Sequence, residues 1–381
     1  MKQFRQHHLL QIVKGIDFKI PLDFFLHQYF KKHRAIGSKD RKKIADSVYG
    51  IVRWQALLDY FLENKTPENR VDLYFKLLPK QIFTDSSIPS HVRVSVPKSL
   101  YTRLAHQYGQ GKAMNLCAIS NTRAPTTLRC NPIKTTREEV LKKLAPSFVK
   151  TQRSPFGLQT TEHVSLFSTE AFRKGFFELQ DEGSQLLASL IQPNPSDLVL
   201  DYCAGSGGKT LAFAYQMKGK GQIFLYDNRK KALLEAKKRM ARAGIQNYQF
   251  FNASKKWKKK MDWILVDAPC TGTGTLRRNP DMKWRFNESF LQKMLSEQRI
   301  IFERALSYLK LGGRIVYATC SLLQEENQEQ IEHFIKTYNL KLVSPPLILL
   351  PQEGGMDGFF GVTLMHSSAR SSDHIDLGGV A

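Results

Sequence analysis

Cysteine is scarce in this chain, and its placement excludes more than its number. The five residues Cys117, Cys130, Cys203, Cys270 and Cys320 leave an odd count and form no C-x-x-C pair. Neither a disulfide framework nor a cysteine-ligated zinc site can organise such a chain, and no metal is expected. Free thiols belong in a reducing compartment, so a cytoplasmic location is expected. No segment approaches the roughly 20 apolar residues that a membrane helix requires. Met1 to Lys14 has two histidines and a short apolar patch without the profile of a cleaved leader, so neither membrane nor secretion is expected. Acidic residues are also few. The 34 Asp and Glu against 57 Lys and Arg give a formal net charge of +23. A surplus of that size fits a polyanionic partner, nucleic acid first, although a solvated basic surface would carry the same count. With 381 residues and 42% apolar content, two or three cored domains are expected, in a monomer.

Residues 1–90 read as an all-α domain. Apolar residues recur at helical spacing through Leu9, Leu10, Ile12 and Val13, then Phe24, Phe25, Tyr29 and Phe30, then Ile44, Val48, Ile51 and Val52. Thr84 to Lys98 shows no period and reads as a linker. A small, RRM-like α/β domain is expected over 91–190, with a helix from Leu100 to Ile119 and strands at Thr126 to Cys130 and Val164 to Phe167. From Asp197 strands and helices alternate, which predicts a Rossmann-like, doubly wound and mostly parallel sheet over 191–365. Ligands of such sheets bind at the carboxyl ends of the strands, where Cys203, Asp227, Asp267 and Cys320 all fall. Residues 366–381 read as a disordered tail.

Three segments carry chemistry. Asp201-Tyr202-Cys203-Ala204-Gly205-Ser206-Gly207-Gly208-Lys209-Thr210 is a strand end, a glycine turn and a helix start. Asp267-Ala268-Pro269-Cys270-Thr271-Gly272 and Thr319-Cys320-Ser321 put two thiols at the ends of two further strands. In this order, with the continuation Thr273-Gly274-Thr275-Leu276-Arg277-Arg278-Asn279-Pro280, they resemble the RNA (cytosine-5) methyltransferases of the RsmB/Nop/NSun type, which use S-adenosylmethionine. Weaker matches extend the likeness. Ser38 to Lys43 and Tyr49 to Trp54 are similar to the NusB-like, RNA-binding helical domain of bacterial members. Arg129-Cys130-Asn131 and Phe177 to Ser184 match segments ahead of the catalytic domain, so Arg129 and Asn131 are expected to lie against RNA. Members end near the match to Asp357-Gly358-Phe359-Phe360.

Gly207-Gly208-Lys209-Thr210 could end a phosphate loop, but the first glycine of that motif would fall on Cys203. A dinucleotide fingerprint fails as well, for want of its last glycine. By the resemblance, Cys203, Ala204, Gly205, Ser206, Gly207, Gly208 and Lys209 hold the methionine end of S-adenosylmethionine. Gly205-Ser206 departs from the family's Ala-Pro. Asp227, nineteen residues beyond Gly208, has the spacing of a ribose-binding carboxylate or of a helix cap. Asn252 stands where relatives carry an aspartate near the adenine, or is a turn residue before the basic run Lys255 to Lys260.

Carbon 5 of cytosine is a poor nucleophile, so its methylation requires a thiolate to add at carbon 6. The resemblance assigns that thiolate to Cys320 and the resolution of the adduct to Cys270. Asp267, also near the cofactor, would face the N3 and N4 edge of the base and would have to be protonated to donate to N3. The site should lower its thiol pKa with a neighbouring cation or helix terminus. Arg277, Arg278, Lys283 and Arg285 are placed to hold phosphates of an unstacked strand, and Trp284 to stack on a base or to join a core. Ribosomal RNA is the expected substrate, with transfer RNA as its rival. A non-catalytic RNA-binding assembly factor would keep the fold without turnover, and a DNA methyltransferase would use Cys270 as nucleophile instead.

Overall fold

The computed structural model describes residues 3–77, 85–162 and 164–367. The chain divides into two compact units, Met1–Arg123 with Thr271–Leu291, and Ala124–Cys270 with Gln292–Ala381.

The first unit is helical. It contains α1 (Gln3–Gly15), α2 (Leu22–Lys32), α3 (Ser38–Arg53), α4 (Gln55–Tyr60), α5 (Pro67–Lys76), α6 (Ser90–Arg93), α7 (Lys98–Tyr108) and α8 (Gln110–Ser120). The helical periodicity has a direct counterpart in its core, where Leu9, Ile12, Leu22, Leu26, Ile44, Val48 and Ile51 are buried together. The expected single helix from Leu100 to Ile119 breaks at Gly109, whose φ of +79° suits glycine and almost nothing else. By contact, α7 and α8 group with the helices of this unit. Asn121 donates to the Val94 carbonyl, and Ser95 Oγ accepts from the Ala56 amide.

The second unit opens with a four-stranded sheet in the order β2-β3-β1-β4, all antiparallel. Its strands are β1 (Thr126–Cys130), β2 (Val149–Lys150), β3 (Gly157–Thr160) and β4 (Phe177–Leu179). Helix α9 (Arg137–Leu144) crosses between β1 and β2, started by a capping box in which Thr136 and Glu139 satisfy each other's backbone. No strand forms at Val164 to Phe167. Leu166 instead fills the small core beside Leu128 and Phe177, which is why the stretch is apolar.

The large sheet runs β10-β12-β9-β8-β5-β6-β7, with β11 paired to β12. Its strands are β5 (Leu198–Asp201), β6 (Gln222–Leu225), β7 (Tyr248–Phe250), β8 (Met261–Asp267), β9 (Leu309–Thr319), β10 (Leu340–Leu342), β11 (Leu347–Leu349) and β12 (Phe359–His366). The strands from β7 across to β9 are parallel, and β12 is antiparallel to β9. β12 reaches His366, which pairs with Leu340 and so belongs to the sheet rather than to the tail expected from 366. From 368 onward it lies outside the described residues.

Alternate residues of each central strand feed opposite faces. Val199, Ile223, Leu265 and Val316 pack on one side, and Leu200, Phe224, Ile264 and Ile315 on the other. Both faces are covered, as the continuous apolar runs of parallel strands require. Four helices follow in this unit or enter it: α10 (Glu170–Arg173), α11 (Glu182–Ala188), α12 (Gly208–Phe213) and α13 (Lys230–Ala243). Then come α14 (Glu288–Leu306), which carries the chain back from the helical unit, and α15 (Gln328–Tyr338). Phe302 of α14 and Phe334 of α15 stack at 3.8 Å, both fully buried. Truncating either to alanine is worth roughly 3–5 kcal/mol.

Candidate active site

The strand order reverses at β5, with β6 and β7 to one side and β8 and β9 to the other. The crevice beyond the carboxyl ends of β5 and β8 is therefore the place for a ligand. The turn after β5 holds Gly205 at φ +52° and Gly207 at φ +79°. A Cβ on Gly207 would strike the Met240 methyl at 2.5 Å, whereas one on Gly208 would meet nothing within 4 Å. The loop is thus seated on α13 beneath and open at Gly208. Two side chains fix it. Arg239 Nη1 donates to both Ser206 oxygens, at 2.9 and 2.7 Å, and Gln180 Nε2 donates to the Gly208 carbonyl at 3.2 Å.

Asp227 stands two residues past β6. It accepts from the Gly205 amide at 2.8 Å and from the Arg229 amide and guanidinium. Burial opposes its charge, but the hydrogen bonds from Arg229 outweigh burial and hold the carboxyl below its usual range. Asn252 is exposed two residues past the end of β7. The register of β6 and β7 ends at Leu225 with Phe250, so Asp227 and Asn252 each stand two residues past adjacent strand ends. Burial pushes the Cys203 thiol well above its ordinary value, and the carboxylates of Asp201, Asp267 and Asp227 push it further. Cys117 and Cys130 are pushed up to about 12 by burial. These three thiols are inert.

Cys270 and Cys320 differ from them. They follow the adjacent strands β8 and β9, and their Sγ atoms are 3.3 Å apart. Beside them, Lys209 Nζ pairs with Asp267 Oδ2 at 2.5 Å. Burial works against the charge on Lys209, but Asp267, with a smaller contribution from Cys320, more than offsets it and holds the amine above its ordinary value. Lys209 is therefore a cation within electrostatic reach of Cys320, with its amine engaged by Asp267. The Asp267 side chain is 34% exposed and accepts from an ammonium.

Several expected RNA contacts are spent elsewhere. Arg129 is 2% exposed and donates to Gln180 Oε1. Asn131 is buried and donates to the Gly175 and Ala243 carbonyls. Lys283 is 1% exposed, with Nζ on the Arg53 carbonyl at 2.7 Å and Asn121 Oδ1 at 3.0 Å. Arg277 is buried, and its carbonyl accepts from Arg53. Arg285 pairs with Asp281. Trp284 joins the helical core and donates to the Val52 carbonyl, which settles its role as core. Arg278 is half-buried.

Gln298, Glu326 and Asn327 carry no signal in the sequence, yet they are buried and bonded to the turns that bear the two thiols or to one another. A polar residue in a helix or turn carries no mark of whether it faces water.

A sheet of this order, with a glycine loop after its first strand and carboxylates after the next, defines an S-adenosylmethionine-dependent methyltransferase. Residues 188–365 match the family described as 16S rRNA methyltransferase RsmB/F, and 96–162 match the RsmF/B-like ferredoxin-like domain. The chain belongs to this family. The probable ribosomal RNA small subunit methyltransferase B of Synechocystis is 30% identical over 307 residues, covering 74% of this chain and 69% of that one. Its namesake in Bacillus subtilis is 31% identical, covering 70% and 65%. The chain thus spans about two thirds of the length of these relatives. Among solved structures, PH0851 aligns with a TM-score of 0.77 at 24% identity, over 95% of this chain and 98% of its own. The methyltransferase homolog protein from Pyrococcus horikoshii aligns at 0.64 and 25% identity, over 73% and 98%.

Proposed function

We propose that this chain methylates carbon 5 of a cytosine in RNA, ribosomal RNA before transfer RNA, with Cys320 as nucleophile and Cys270 resolving the adduct. The observation that carries the reading is the pair of thiols 3.3 Å apart beside the Lys209–Asp267 ion pair. The names of the relatives favour ribosomal RNA.

The residues fit S-adenosylmethionine. The glycine turn is open at Gly208, and Asp227 past β6 would receive the ribose hydroxyls by exchanging its bonds from the exposed Arg229 for them, with Asn252 past the adjacent strand β7. The bound cofactor supplies an electrophilic methyl group. Cys320, as the thiolate, adds to carbon 6 of the cytosine, forming the S–C bond and moving an electron pair towards carbon 5. Lys209 stabilises that thiolate before it adds. Asp267, paired with Lys209, is an acceptor suited to the N4 amino group. Carbon 5 takes the methyl as the methyl's bond to the sulfonium breaks and leaves a neutral thioether. A base, the role this reading leaves to Cys270, takes the carbon-5 proton, and the freed electron pair re-forms the ring double bond as the bond to Cys320 breaks and returns its thiolate. Cys270 assists that last step, and the target base must leave its stack to meet both thiols.

The test supplies methyl-labelled S-adenosylmethionine with unmodified ribosomal or transfer RNA in separate reactions, and identifies the labelled nucleoside. Label in 5-methylcytidine from ribosomal RNA is expected. Cys320→Ala should give no label and no covalent complex, and Cys270→Ala should accumulate a protein–RNA adduct. An inactive Cys270→Ala alongside an active Cys320→Ala would reverse the assignment. No label in either RNA, with cofactor binding intact, would leave an RNA-binding factor without chemistry.

A further inference from the structure

Resting on the reading that Cys270 and Cys320 are the reactive thiols, we propose that Gln298 and Asn327 are positioning residues that set the spacing of these two cysteines from one shared anchor, the Glu326-Asn327 step. Gln298 lies on α14 and is fully buried. Its Nε2 donates to the Pro269 carbonyl at 3.0 Å, one residue before Cys270, and to Glu326 Oε1 at 2.9 Å. Its Oε1 accepts from Gln330 Nε2, which also donates to the Leu295 carbonyl. The Glu326 carbonyl in turn accepts from the buried Tyr317 hydroxyl of β9.

The next residue holds the other arm. Asn327 Oδ1 accepts from Thr319 Oγ1 at 2.6 Å, and its Nδ2 donates to the Ser321 carbonyl at 3.0 Å. Those two partners flank Cys320. Thr319 Oγ1 also accepts from the Ser321 amide, which tightens the turn that carries the thiol. One arm therefore runs from residue 326 through Gln298 to the Cys270 loop, and the other from residue 327 to both neighbours of Cys320. Their effect on chemistry comes through where the two sulfurs stand, and a misplacement of about 1 Å is worth about a hundredfold in rate. Buried polar networks of this kind hold a unique geometry only when every member is satisfied.

The experiment reads the sulfur spacing without RNA. In a glutathione buffer the two protein thiols are oxidised to a Cys270–Cys320 disulfide while one glutathione disulfide is reduced to two glutathione molecules. The equilibrium constant, in molar units, is the effective concentration of one thiol at the other. Acid quenching and peptide mapping measure it. Gln298→Met cuts the first arm and Thr319→Val the second, each with little change of volume, and Leu166→Ala, in the separate small core beside Leu128 and Phe177, serves as a destabilised control. Each arm variant is expected to lower the effective concentration at least about tenfold, while the control lowers the melting temperature and leaves the constant within about twofold of wild type. Arm variants that fold and keep the wild-type constant overturn the proposal, as does a control that moves it equally. Should one arm variant not fold, the other decides. A wild-type chain that transfers no methyl group but shows the arm dependence sinks the proposed reaction alone, and methyl transfer without arm dependence sinks the positioning alone.

Discussion

The Lys209–Asp267 pair can be weighed by a double-mutant cycle. Two unit charges 2.5 Å apart attract by roughly 7 kcal/mol at an effective dielectric of about 20 and by roughly 2 kcal/mol in water. Lys209 is nearly enclosed, at 10% side-chain exposure, while Asp267 keeps 34%. Solvent at the carboxylate moves the interaction towards the lower figure, and desolvation of the amine takes a further share. A coupling of about 2 kcal/mol is therefore expected between Lys209→Met and Asp267→Asn, read from urea unfolding followed by circular dichroism at pH 7.5. Asp267→Asn should be the costlier single change, because it strands an ammonium in a site that burial already disfavours. The pH dependence has a definite sign. The amine is held above its ordinary value, so its contribution is complete below the unfolded pKa of about 10.4 and is lost as pH rises through the folded value. The coupling should thus be unchanged between pH 7 and 9. A coupling under about 0.3 kcal/mol, the usual additivity error, would mean that the pair is a passive surface contact and would remove Lys209 as the cation that serves Cys320.

Two further outcomes follow from buried charges. Burial pushes the Asp201 carboxyl up to about 7, with Thr210 only partly opposing it. Its proton stabilises the fold at low pH, and that contribution is lost between about pH 4 and 7. Asp201→Asn, which keeps an acceptor for Thr210, should therefore gain on the order of 2–4 kcal/mol relative to wild type on going from pH 5 to 8, and an equal difference at both pH values would refute the cause. Burial, aided by the Arg53 charge and only partly offset by Cys117, holds Lys283 well below its ordinary pKa. Lys283→Met should leave RNA affinity and its salt dependence unchanged, whereas a drop of about 0.7 in the slope of log affinity against log salt would return Lys283 to the phosphate contacts.

Much of the fold was legible because period and punctuation agree with tertiary burial. β1 falls where the sequence put it, at Thr126 to Cys130. The strand-end positions of Asp227, Asp267, Cys270 and Cys320 were legible for the same reason, because a parallel sheet gathers its carboxyl ends. What escaped was long-range. Val164 to Phe167 has strand composition, yet Leu166 is used as a plug in a core that forms only when β1 and β4 meet. The break at Gly109 was missed because apolar spacing continues on both sides of it. Lys209 read as part of a cofactor loop, and only the register of β5 beside β8 brings it to Asp267.

The basic residues after Cys270 show how a local pattern can mislead for a physical reason. Lys283, Arg285 and their neighbours follow a catalytic motif, and a cation there looks like a phosphate clamp. Helix α3 ends at Arg53; the Gly50 carbonyl of its last turn takes the Trp54 amide, and the two final carbonyls take side chains. The Val52 carbonyl takes the Trp284 indole N–H, and the Arg53 carbonyl takes the Lys283 ammonium. A cation at a helix carboxyl terminus also complements the helix dipole. Segment 271–291 is thus bound into the helical unit by the groups that α3 needs at its end, and those charges are withdrawn from any polyanion. The surplus behind a net charge of +23 must act from exposed positions, such as Lys230, Lys231, Lys237 and Lys238 on the solvent side of α13, whose opposite side is buried through Ala236, Met240 and Ala243. Sequence proximity to a nucleophile therefore says less about phosphate contact than which helix end a lysine is needed to close.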